Sequence, residues 1–135
     1  MLEAYSLNVD VAENGVVPFN NVTIEKGCTA ILSAPGTIQL NKAGVYSIHF
    51  DASVTSADAG TVTSTLYKAG VVQPQGQASA SLTADATANL AFDTLVQVRD
   101  SNSCRCCDSP TLVQIINSGI DATYTNANIT VTKVC

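Results

Sequence analysis

Between Asn41 and Val54 the chain reads NKAGVYSIHFDASV. After a turn signal at Asn41–Gly44, Tyr46, Ile48, Phe50, Ala52 and Val54 fall on one parity, and Ser47, His49, Asp51 and Ser53 on the other. A period of two sends successive side chains to opposite faces of a pleated strand, so this stretch predicts a strand with one face in a core. Its other face is wet or shared with a partner. Tyr5, Leu7, Val9 and Val11 alternate in the same way and predict a first strand, ended by the turn Glu13-Asn14-Gly15. Val16 to Ile24 reads as extended chain broken by Pro18 and Asn20-Asn21, the signature of an edge or a bulge. Lys26-Gly27 turns the chain into a strand at Cys28–Leu32, and Pro35-Gly36 precedes a short one at Thr37–Leu40.

The second half continues the pattern. Thr61 to Lys68 predicts a strand with Val62 and Leu66 on one side and Tyr67 on the other. Ala69-Gly70 opens a hairpin into Val71 and Val72, and Gln73–Gln77, with Pro74 and Gly76, reads as loop or edge. Ala78–Ala88 is built of small residues, and its recurring Ser and Thr assign it to strand. Leu90, Phe92, Val96 and Val98 share one parity, which makes Ala88–Arg99 a long strand. Asp100–Pro110 is irregular, Thr111–Asn117 is strand, and Asn117-Ser118-Gly119 is a turn. Ala122–Thr125 and Ile129–Val134 predict two closing strands. Turn signals recur about every 8–12 residues with no amphipathic helix between them, which specifies an all-β antiparallel sandwich or barrel. With no internal repeat or linker, residues 1–135 are expected to form a single domain.

Composition narrows the function classes. Only 13% of the residues are charged, against roughly 25% in soluble domains at large. A surface poor in charge and rich in Thr, Ser and Asn suits a tightly packed assembly better than a solvated monomer. The net charge is −5, and the six Lys and Arg are scattered, so no basic stripe meets a phosphate backbone and nucleic acid is excluded as a partner. No basic segment precedes an apolar run near Met1, so no signal peptide is expected. No window approaches the roughly 18 consecutive apolar residues of a membrane span.

The ordered segments Gly44-Val45-Tyr46, Leu112–Gly119 and Asn126–Val131, set among these strands, resemble the C1q/TNF-like jelly roll. The resemblance is nearest to small phage virion proteins and to the C-terminal domains of bacterial collagen-like spore-surface proteins. It spans about Val16 to Val134. It implies an antiparallel jelly-roll β-sandwich that associates as a homotrimer through one face of each protomer, acts in assembly or adhesion, and carries no catalytic signature. Low charge agrees with such an interface, because obligate interfaces are more apolar than others. Val45, Tyr67, Leu95 and Val113 lie off the core parity expected of their strands and, with His49, form the candidate trimer face. The chain lacks a Gly-X-Y stalk, which favours a phage capsid decoration or head-fibre protein on the virion exterior, partnered by itself and the major capsid protein. The alternative is a receptor- or glycan-binding adhesion head on a phage fibre or a bacterial cell or spore surface.

Candidate chemistry is sparse. Cys104, Cys106 and Cys107 cluster as C-R-C-C, with Cys28 and Cys135 elsewhere. The spacing does not match the Cys-x₂₋₄-Cys pairs of zinc sites, so no metal is expected. Cys104, Cys106, Cys107 and Cys135 remain candidates for disulfides within the chain or between protomers, and Cys28 reads as a buried thiol. His49 shares a face with Asp51, the arrangement of a base and its orienter. No nucleophile can be placed beside the pair, and a lone strand histidine is more often a surface or interface group that lends pH sensitivity. Asp100 and Asp108 flank the cysteine loop without forming a calcium loop. Neither enzymatic activity nor a cofactor is expected.

Overall fold

The computed structural model describes residues 1–27, 29–99 and 111–134. Ten strands occur among them: β1 (Leu2–Val11), β2 (Asn21–Glu25), β3 (Ala30–Ala34), β4 (Thr37–Leu40), β5 (Gly44–Thr55), β6 (Gly60–Lys68), β7 (Val71–Leu82), β8 (Thr87–Val98), β9 (Thr111–Asn117) and β10 (Ala122–Lys133). They form two five-stranded sheets, β2-β1-β10-β5-β8 and β3-β4-β9-β6-β7. Every pairing is antiparallel. The two sheets pack as an antiparallel jelly-roll sandwich.

The alternation read from β5 is realised in full: Tyr46, Ile48, Phe50, Ala52 and Val54 are buried, and the intervening residues face out. Phe50 is the centre of the core. It meets Phe19 edge-on, with ring centroids 6.2 Å apart, and Phe92 at 5.4 Å. Phe19 explains why Val16–Asn20 is not a strand. Val17 and Phe19 are fully buried anchors, and the backbone between them is tied to neighbouring segments by Val17 N to Ile115 O and Phe19 N to Pro35 O.

Three further differences from the alternation have local causes. In β1 the buried residues are Leu2, Ala4 and Ser6, so Tyr5 and Leu7 face solvent. Asn8 adopts φ 53, and the β10–β5 register slips between Tyr124 and Asn126. These paired irregularities switch the parity of both β1 and β10, so that Val11, paired with Ala122, returns to the core. The same bulge lets Ala122–Lys133 run as one strand instead of two. The third case is β7, which passes through Pro74 as a sheet edge. Thr65 and Leu66 of β6 face Gln77 and Gln73, so Pro74–Gly76 bulge out. Gly76 permits this, because a Cβ there would stand 2.8 Å from Leu66 Cβ.

Three buried residues lock the layers through polar groups. Ser64 of β6 and Tyr124 of β10 join their hydroxyls at 2.7 Å across the sandwich. Burial pushes the Tyr124 pKa up to about 12, partly offset by that bond. Asn117, at the end of β9, donates through Nδ2 to Ile120 O (2.8 Å) and Val11 O (3.2 Å) and accepts from Gly119 N (3.1 Å).

Candidate functional site: the outer face of the β1–β10–β5–β8 sheet

Strand pairing fixes a grid of side chains on this face. From β1 to β8 one row runs Glu3, Thr130, His49, Asp93; the next Tyr5, Asn128, Asp51, Ala91; the next Leu7, Asn126, Ser53, Asn89. On the other side of the first row lie Thr132, Ser47 and Leu95, and then Val45 beside Gln97. The face is thus divided. Its half toward the start of β5 carries Val45 and the 60% exposed Leu95, and the remainder is mostly polar, with Leu7 exposed at its β1 edge.

Of the expected trimer-face residues, Val45, His49 and Leu95 are brought together here. Tyr67 is not: it lies on β6, on the outside of the opposite sheet, paired with Gln114 and Val72. Val113 is a correction. It is fully buried in the core, and Leu112, Gln114 and Ile116 face outward from β9. The sequence Leu112–Asn117 puts two apolar residues and one carboxamide on each parity, so hydrophobicity does not choose. Tertiary bonding does, because Asn117 is fully satisfied in the interior. Cys28, Cys104, Cys106, Cys107 and Cys135, with Asp100 and Asp108, lie outside the described residues.

His49 Nε2 stands 3.3 Å from Asp51 Oδ2, and both side chains are about half exposed. The same row supplies Asp93 directly opposite His49 on β8, and Glu3 two strands away. This is a histidine among carboxylates on an open sheet, with no serine or cysteine nucleophile bonded to it among the described residues. Ser47 instead approaches Asp93 (3.5 Å), and Ser53 Oγ donates to Asn89 Oδ1 (2.8 Å). No group of three or more His, Cys, Asp or Glu placed to hold a metal occurs among the described residues. Sequence reasoning missed the carboxamides of this face, Asn89, Asn126 and Asn128. Their shared outward position follows only from the bulge in β10 and the β5–β8 register.

The arrangement shares its fold with known structures. Over 99% of this chain and 96% of the other, it superposes on the globular domain of zebrafish complement 1qA, with TM-score 0.68 and 12% identity. The fold is the C1q/TNF jelly roll. The Eiger TNF of S. frugiperda is similar at TM-score 0.68 and 11% identity, over 99% of this chain and 92% of that one. The vertex protein P5 of PRD1 is similar at TM-score 0.58 and 18% identity, over 99% and 96%. No protein-family model and no curated protein matches the sequence. The likeness to this jelly roll is therefore one of fold.

Proposed function

We propose that the protein is a non-enzymatic structural component of a phage virion: a homotrimeric decoration or head-fibre protein that docks on the capsid surface. The observation that carries this reading is the likeness to the PRD1 vertex protein, which extends over almost the full length of both chains. The C1q/TNF jelly roll supports threefold association, and Leu95, 60% exposed near the half-buried Val45, supplies an apolar contact for it. The opposite sheet supports a docking role. Its strands β3, β4, β6, β7 and β9 carry one charged residue, Lys68, so little charge is desolvated when that side meets a lattice. Three identical footprints would then raise avidity without any strong single contact.

Two measurements test the proposal. Native mass spectrometry with and without reductant should show a trimer that survives reduction. A monomer in both conditions would overturn the trimer, and loss of the trimer on reduction would make the cysteines interchain staples. Immunogold labelling with antibody against the chain should decorate capsid exteriors. Unlabelled virions with labelled cell or spore envelopes would move the protein to the bacterial surface.

A further inference from the structure

The polar half of the β1–β10–β5–β8 face contains a depression lined by Asp51, Ser53, Asn89, Ala91 and Asn126. It exists because Ala91, opposite Asp51, is small, while the flanking rows carry longer side chains. Its volume is about 180 Å³, below the roughly 300–1,000 Å³ of sites that enclose a whole drug-sized ligand. That size suits one ring of a larger molecule. The hydrogen-bonding groups are mixed and open. Asp51 uses Oδ2 on His49 and keeps Oδ1 as an acceptor. Asn89 accepts from Ser53 through Oδ1, which leaves its Nδ2 as a donor, and Asn126 has no side-chain partner among the described residues. Tyr5 and Leu7 of β1 continue the same two rows and add an aromatic and an apolar surface.

We propose that this depression is a binding subsite for a neutral saccharide. Neighbouring sugar hydroxyls each donate and accept, which is what a carboxylate beside two carboxamides offers. Charge selects against acidic sugars: Asp51, Asp93 and Glu3 are on this face, and the outward positions of β1, β5, β8 and β10 hold no Lys or Arg. A calcium ion fits poorly. It asks for six to eight oxygens, whereas the depression has a single carboxylate, and Asn89 Oδ1 is already engaged.

The test is titration of the full chain, followed by two-dimensional amide NMR. The probes are methyl mannoside, methyl galactoside and N-acetylglucosamine, with sialyllactose as the acidic comparison. At least one neutral sugar should bind saturably with a Kd of about 1 mM, shifting amides in 51–53, 89–91 and 126–128, and sialyllactose should bind at least about tenfold more weakly. Asn89→Ala with Asn126→Ala, both at exposed positions, should weaken binding about tenfold or more, and Asp51→Asn should do so independently. The site is overturned by no saturable shift with any neutral sugar, by shifts elsewhere on the molecule, by unchanged affinity in both variants, or by preference for sialyllactose. Native mass measured on the same samples reports association separately, so failure of this subsite and failure of the trimer are distinguishable.

Discussion

Replacing Asn117 by alanine removes three bonds of 3.2 Å or less, and a longer one from Nδ2 to Ala12 O (3.5 Å), at one point. Its carboxamide holds Ile120 O, Val11 O and Gly119 N, and so ties the end of β1 to the turn between β9 and β10. Asn117 is fully buried, so alanine leaves two carbonyls and one N–H without partners. A buried polar group stripped of its partner costs about 1–3 kcal/mol. Two of these three bonds are only partly buried, where water recovers some of the loss, so the expected destabilisation is about 3 kcal/mol. For a chain of this size that lowers the melting temperature by about 10 °C. Asn117→Asp should be at least as damaging, since it keeps the acceptor but loses both donors and buries a charge. The assay is urea unfolding at one fixed protein concentration, because any association adds a concentration-dependent term. An alanine variant within about 1 kcal/mol of the parent would refute the claim that this side chain fastens the strand ends.

Tyr124 makes stability fall at high pH. Its pKa is raised to about 12 from 10.0, so the unfolded chain deprotonates first, and stability present below about pH 10 is lost progressively as pH rises to about 12, by roughly 2–3 kcal/mol. Tyr46 is shifted in the same direction by burial. Tyr124→Phe should be less stable near neutrality, because Ser64 loses its partner, yet show a shallower decline in alkaline urea titrations; an unchanged slope would refute the assignment. Ala69 sits at φ 51 in the β6–β7 turn, a left-handed conformation that asparagine tolerates better than alanine because its carboxamide bonds the local backbone, so Ala69→Asn should stabilise by about 1 kcal/mol in thermal unfolding. Leu95→Asp, at an exposed position beside Asp93, should leave the monomer's unfolding curve intact and weaken self-association by about tenfold or more in sedimentation. Unchanged association would remove β8 from the interface.

Two levels of information meet in this molecule. The sequence alone determined the strand class, the turns at Asn14-Gly15 and Ala69-Gly70, and the inward face of β5, β6 and β8. In these stretches the large apolar residues fall mostly on one parity, and burial of apolar area dominates the free energy. It also pointed to Val45, His49, Tyr67, Leu95 and Val113 as one outer face, of which Val45, His49 and Leu95 do share a face, Tyr67 lies on the other sheet and Val113 is buried. Where parity was ambiguous, local pattern ran out. In β9 each face has two apolar residues and one carboxamide, and only the three partners gathered around Asn117 decide that Val113 and Ile115 go inward. In β1 the run Tyr5, Leu7, Val9, Val11 misleads, because the irregularities at Asn8 and in β10 reverse the faces midway. Those features depend on how distant strands are registered, as does the polar depression joining Asp51 of β5, Asn89 of β8 and Asn126 of β10. Residues 37 or more positions apart in the chain meet there only because antiparallel pairing holds them side by side; a period of two specifies a face, but not which strand lies next to it.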